Sequence, residues 1–188
     1  MVRRWVTRAA KAAGLLLLVA ALWRGWLEVT GNFHEVRAGL LYRSAQLSPE
    51  RLDREISAHG IRSVLNLRGA DPAAARWRNE VAVTERRGVT HADLALDAWS
   101  EPDPERLARL MELIDTLPRP LLIHCQSGAD RSGLASALFL ARAAQATEFQ
   151  AEWQLSFFYG HVSMPTAKAW PMDRTWEALE PALGYEGS

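Results

Sequence analysis

Leu121-Leu122-Ile123-His124-Cys125-Gln126-Ser127-Gly128-Ala129-Asp130-Arg131-Ser132-Gly133 joins an apolar run to a short glycine-containing loop and a helix start. The apolar run reads as a buried strand. It delivers the only cysteine of the chain to a position six residues ahead of an arginine. A strand that turns through such a loop into a helix makes several backbone N–H groups converge on one point, and the positive helix end favours an anion there. The same field favours thiolate over thiol, so Cys125 is expected to have a lowered pKa and to react near neutral pH. Arg131 adds a planar fork of donors suited to two phosphate oxygens. Gln126, Ser127, Gly128, Ala129, Asp130 and Arg131 are therefore the expected phosphate-binding residues, and Ser132 can donate a hydrogen bond to the sulfur. A free cysteine at a strand end is also a common small core residue, but that reading leaves Arg131 and the glycines unexplained.

Outward from this loop, strand-like and helix-like segments alternate. Gly39 to Ser44 reads as a strand. Ser48-Pro49-Glu50 starts a helix that Gly60 ends. Ile61 to Leu67 is an apolar strand, Pro72 to Arg87 a helix stopped by Gly88, and Val89 to Leu96 a further strand. Asp103-Pro104-Glu105 caps a helix that ends near Leu117. Helices are expected at Ser132 to Gln145, at Thr147 to Phe158, and near Asp173 to Leu179. Such alternation implies an α/β fold, a single domain whose mostly parallel central sheet carries helices on both faces. Ligands in such sheets sit at the carboxyl ends of strands, where Cys125 falls.

The loop resembles the Cys-x5-Arg-Ser/Thr signature of cysteine-dependent protein tyrosine and dual-specificity phosphatases, with the preceding His124 and the following Gly133 also present. Asn32 to Val36, Leu41 to Gln46 (with its Tyr-Arg-Ser-x-Gln strand), and Gly60 to Arg68 (with Asn-Leu-Arg) look like the opening of bacterial and fungal atypical dual-specificity phosphatases. Gln154 to Ser156 and Tyr159 to His161 resemble an element of the bacterial branch, so the similarity spans about residues 32–161. The resemblance implies a protein-tyrosine-phosphatase-like fold and phosphate monoester hydrolysis through a phosphocysteine, with no cofactor. Relatives that cleave phosphoinositides often carry lysines in this loop, whereas Gln126 and Ala129 are neutral, which argues against highly phosphorylated inositides.

Expelling an alkoxide or phenoxide at neutral pH requires a proton donor, which the family places as an Asp on a mobile loop ahead of the Cys. Asp93, Asp97 and Asp103 compete. Asp103 reads as a helix N-cap and Asp93 lies inside a strand. Asp97 follows that strand beside Trp99 and is the favoured acid, although the family's Trp-Pro-Asp tripeptide is absent. Asp130, next to the arginine, is read as orienting Arg131, as assisting as an acid, or as a solvent-facing loop residue.

The chain has 188 residues with 22 basic and 22 acidic side chains, so no global field points to nucleic acid. Histidines at 34, 59, 91, 124 and 161 have no ligand-like spacing, and no metal site is expected. The N-terminus departs from this balance. Arg3, Arg4, Arg8 and Lys11 precede the uncharged run Ala12 to Trp23, the pattern of a secretory signal or an uncleaved signal anchor. The shortness of the run favours a cleaved signal. Arg24 can snorkel to extend it to Leu27, Trp23 and Trp26 suit a membrane interface, and a small-x-small cleavage site is poorly formed, so the anchor is preferred. The expected organisation is an anchor or signal plus connector over 1–31 and a catalytic domain over 32–188. The charge asymmetry places the domain outside the cytoplasm, on the periplasmic face in a Gram-negative cell. The expected substrate is a phosphorylated protein or a phospholipid headgroup; a silent phosphate-binding module and a sulfurtransferase are the alternatives.

Overall fold

The computed structural model describes residues 2–185, with backbone alone for Val2 to Arg4, Val6 and Thr7. The side chains of Arg3 and Arg4, which enter the charge asymmetry, and Glu186 to Ser188, the end of the expected catalytic domain, lie outside the described residues.

Five short strands form one sheet: β1 (His34–Arg37), β2 (Leu41–Ser44), β3 (Ser63–Asn66), β4 (Thr90–Asp93) and β5 (Leu121–His124), in the order β1-β2-β5-β3-β4. β5 is central and pairs in parallel with β2 and β3. β4 is parallel to β3, and β1 alone runs antiparallel to β2, so the mostly parallel sheet is present. Alternate residues of the buried strands feed two cores. Leu41, Leu65, Leu121 and Ile123 face a layer of α4 (Pro104–Thr116), α5 (Asp130–Ala143) and α7 (Trp170–Leu179), through residues such as Leu110, Phe139 and Trp176. Tyr42, Val64 and Leu122 face α2 (Pro49–His59) and α3 (Ala75–Arg87), through Leu52, Ile56 and Val83.

The local signals act where expected. The Ser48 side chain accepts from Arg51 N, Pro49 opens α2, and Gly60 closes it at φ 61°. Asp103 caps α4 by accepting from Arg106 N at 2.8 Å.

Several boundaries differ from the sequence reading. β4 stops at Asp93 rather than Leu96, level with the end of β3 at Asn66, and the chain beyond it stays tied to that strand end through Leu94 N to Asn66 O and Leu96 N to Leu67 O. Asp71 to Ala74 form a turn, so α3 begins at Ala75 rather than Pro72. α7 starts earlier, at Trp170. The helix expected over Thr147 to Phe158 is broken into α6 (Glu148–Glu152) and two 3₁₀ turns, Trp153–Leu155 and Phe157–Tyr159. The cause is tertiary: the Gln154 carbonyl accepts from the Arg43 guanidinium, and Ser156 is extended.

The N-terminal segment is a single helix, α1 (Val2–Val29), in which Arg8–Val29 is long and apolar enough to cross a membrane. It runs on through Arg24 and past Leu27, and leaves a connector of only a few residues before β1. Its Leu15 to Val19 side chains are exposed, whereas Leu27 is buried in the domain. Trp23 Nε1 donates to Phe158 O at 3.2 Å.

Candidate active site

β5 carries Cys125 to the carboxyl edge of the sheet, and the loop Cys125 to Ala129 enters α5 at Asp130. The conformation depends on Gly128, whose φ of 71° suits glycine. A Cβ there would lie 2.5 Å from Ala45 N and 2.6 Å from Ser44 C.

The loop's carbonyls are tied down one after another on its outer side. Gln126 O accepts from Gln46 N at 3.2 Å, and Ser127 O from Asn32 Nδ2 at 2.9 Å. Gly128 O and Ala129 O both accept from Arg43 Nη2 at 2.9 Å. A planar trans peptide holds N–H opposite C=O. Outward carbonyls therefore turn the following amides to the opposite side of the loop, the disposition that suits an anion.

Arg43 is the pillar of this arrangement. It is fully buried on β2, its Nη1 donates to the backbone and side-chain oxygens of Gln154 at 2.8 and 2.9 Å, and its guanidinium stacks 4.0 Å from the Tyr159 ring centroid. Burial lowers its pKa to about 10, so it stays charged at neutral pH. The Tyr-Arg-Ser and Gln154 to His161 segments, quoted above only for their resemblance, meet around this one side chain. An arginine in the middle of a strand is the local sign of it in the sequence. Gly133 completes the fit, since a Cβ there would come within 2.8 Å of Gln154 O.

Cys125 is 1% exposed, and its Sγ lies 3.4 Å from Ser132 Oγ. Burial pushes the thiol pKa up, but Arg131 and the Ser132 hydroxyl and amide outweigh it, and the net shift is downward. Arg131 is oriented by Leu67 O and Leu96 O, which accept from its Nη1 at 3.3 and 3.1 Å. Its buried Nε has no partner, which leaves a donor free for an anion. At the end of β5 beside Cys125, His124 Nε2 and, from β4, His91 Nε2 both contact Glu80 Oε1, at 2.9 and 2.8 Å. Glu80 is buried, which raises its pKa, yet the two histidines hold it well below the usual carboxylate range. Glu80 escaped sequence reading because it sits mid-helix on α3.

The four candidate carboxylates occupy different places. A cleft of about 350 Å³ beside the loop is lined by Arg24, Asp97, Trp99, Ser127, Asp130 and Arg131. Asp93 faces elsewhere, bound to Asn66 Nδ2 and Trp77 Nε1, and Asp103 is the α4 cap. Asp97 is exposed at the rim; its oxygens accept from Trp99 N at 3.0 Å and Ser100 Oγ at 3.1 Å. Asp130 bonds His161 Nδ1 at 2.8 Å, and His161 Nε2 bonds Asp173 Oδ2 at 2.9 Å. Asp130 is thus neither a free loop residue nor in hydrogen-bond contact with Arg131.

Burial of His161 works against its charged form, but the two carboxylates prevail and raise its pKa to about 9. A folded pKa above the ordinary 6.5 means that this stabilisation is complete below about pH 6.5 and lost as pH rises through about 9. Asp173→Asn should move that loss to lower pH, read as Tm against pH together with the imidazole NMR titration. An unchanged titration would show that Asp173 does not hold the charge. Among the described residues no group of three or more His, Cys, Asp or Glu could hold a metal ion.

Residues 36–177 match the family model PTP-SAK, described as "Swiss Army Knife protein, DSP-PTPase phosphatase domain". The match reaches further toward the C-terminus than the resemblance read from sequence and includes Asp173. No curated protein matches the chain significantly. Among solved structures, the chain is similar to TpbA from P. aeruginosa, with TM-score 0.58, 20% identity, and coverage of 82% of this chain and 92% of that one. A Cys-to-Ser form of TpbA in complex with pTyr gives TM-score 0.59 at 17% identity, covering 84% and 93%. The core catalytic domain of the PP-IP phosphatase SIW14 from S. cerevisiae, in complex with citrate, gives TM-score 0.58 at 17% identity, covering 76% and 83%. These likenesses establish the shared fold.

Proposed function

This chain belongs to the DSP-PTPase phosphatase family, whose members are cysteine-dependent phosphatases, and from that premise we propose that it hydrolyses phosphate monoesters through a phosphocysteine at Cys125. The observation that carries the reading is the buried Cys125 sulfur at the head of a loop whose next four carbonyls, Gln126 to Ala129, are tied outward.

The Cys125 thiolate attacks phosphorus and the ester P–O bond breaks. Arg131 and the loop amides hold the three equatorial oxygens, whose charge they match in the transition state. Asp97 gives its proton to the departing oxygen. In the second step Asp97 takes a proton from water, the water oxygen bonds phosphorus, and the P–S bond breaks as Ser132 Oγ donates to the leaving sulfur. Asp97 is assigned this role because Asp93 and Asp103 lie outside the cleft and Asp130 is committed to His161.

Asp97→Asn should slow substrates with poor leaving groups by roughly 10²–10⁴-fold, with a much smaller effect on an activated aryl phosphate. Equal loss on both, or this pattern in Asp130→Asn instead, would remove Asp97 as the acid. A phosphotyrosine or phosphoserine protein is the first substrate class. A phosphorylated lipid headgroup is the second, favoured by one observation: Arg24 of the apolar helix lines the catalytic cleft. We assign α1 as a signal anchor that holds the domain outside the cytoplasm, supported by its length, its exposed leucines and the basic residues ahead of them. Assay against phosphopeptides and phospholipids separates the two classes.

A further inference from the structure

Beside α1 the domain exposes a ridge of large apolar side chains. Phe149 is 70% exposed, Phe157 55% and Trp153 46%. The aromatic rings form a chain of contacts that begins on the helix itself. The Trp23 and Phe158 centroids are 5.3 Å apart, Phe158 and Trp153 6.4 Å, and Trp153 and Phe149 5.8 Å. Val162 and Met164 extend the exposed patch. A soluble surface rarely presents so many large apolar groups together.

The length of α1 says what covers them. The apolar window runs over 22 residues, Arg8–Val29. Its last part is engaged with the domain: Trp23 is bonded to Phe158, Leu27 is buried, Arg24 lines the cleft, and Val29 O accepts from Arg51 Nη1 at 3.1 Å. The portion free of the domain, Arg8 to Leu22, is roughly 22 Å long at about 1.5 Å per residue. The hydrocarbon core of a bilayer is about 30 Å thick. The free part of the apolar window therefore falls short, and the apolar layer reaches down over the level of Trp23 and the ridge joined to it. Aromatic side chains are the groups that favour that interfacial depth, and Arg24 at the same level can extend its guanidinium toward phosphate.

We propose that the Phe149-Trp153-Phe157-Phe158 ridge docks into the interfacial layer of the bilayer that α1 spans, so that the catalytic cleft is held at the headgroup surface rather than swinging free on a tether. The docking rests on the reading of α1 as an anchor.

The test uses the full chain with Cys125→Ser, which leaves no native thiol, reconstituted in mixed phosphatidylcholine and phosphatidylglycerol vesicles. A single cysteine for a nitroxide label is introduced in turn as Phe157→Cys on the ridge, Leu17→Cys in the helix, and Glu85→Cys on α3 at the opposite edge of the sheet. A cooperative thermal unfolding transition matching that of the unlabelled protein shows that each labelled protein is folded. Docking predicts that the 157 label, like the 17 label, is several-fold more accessible to oxygen than to a water-soluble nickel chelate, with the reverse at 85. A 157 label that behaves like the 85 label while the 17 label is buried would overturn the docking and leave the anchor standing. A 17 label exposed to the chelate would overturn both. Neither outcome bears on Cys125 as the nucleophile.

Discussion

Cys125→Ser is expected to lower turnover of an aryl phosphate by roughly 10⁴-fold or more, the scale on which losing a nucleophile acts, while orthovanadate still binds. The two expectations come from different atoms. Turnover needs a sulfur that is ionised near neutral pH, and the serine hydroxyl is not. Binding needs the amides of the loop and the guanidinium of Arg131, and none of these is held by Cys125. Ser127, Gly128 and Ala129 are fixed by Asn32 and Arg43 from outside, and Arg131 by the carbonyls of Leu67 and Leu96. Calorimetric titration with vanadate and a continuous phosphatase assay measure the two separately. A variant that keeps near-native turnover removes Cys125 as nucleophile, and one that loses vanadate binding as well shows that the thiol organises the loop.

Arg43→Met should be the most damaging substitution away from the chemistry. Methionine fills much of the same volume but leaves the Gln154 and Gly128 oxygens without their donors in a fully buried site, and Ala129 O with only its bond from Gly133 N. Stranding buried polar groups in this way costs about 3–5 kcal/mol. Denaturant unfolding should show that loss. Turnover should fall with it even in the fraction that folds, because the Gly128 carbonyl is then free to rotate inward and displace the amides. Arg43→Lys should recover little, since an ammonium cannot span carbonyls on two sides as a planar fork does. Native-like stability and turnover in Arg43→Met would show that the loop holds its shape without this pillar.

These two substitutions differ in how visible their targets are in the sequence. Cys125, Arg131 and Ser132 lie within eight consecutive residues. A strand, a glycine-bearing loop and a helix start make their meeting legible in the chain, while Asn32, Arg43, Leu67 and Leu96 hold the loop and Arg131 in place from distant segments. The α2 and α4 boundaries are legible for the same reason, because Ser48, Gly60 and Asp103 act on their own helix ends.

Arg43 is another matter, since its value depends on Gln154 and Gly128, and β2 becomes the neighbour of β5 only when the sheet assembles. The same holds for Asp130. Its place is decided only when folding brings His161 beside it, across 31 residues, with Asp173 on the far side of that imidazole, 12 residues further on. Tertiary contact also broke the helix that periodicity predicts after Thr147, because Arg43 takes a carbonyl the helix would have used.

The N-terminal helix divides along the same line. Its apolar run and flanking charge are composition, which any window of sequence displays. That its final turns pack on Phe158 and send Arg24 into the catalytic cleft depends on where the chain returns more than a hundred residues later. Short-range hydrogen bonding and hydrophobic periodicity are properties of neighbours in the chain. The pairing of buried charges is a property of neighbours in space, and for this protein only the order of the sheet decided who those neighbours are.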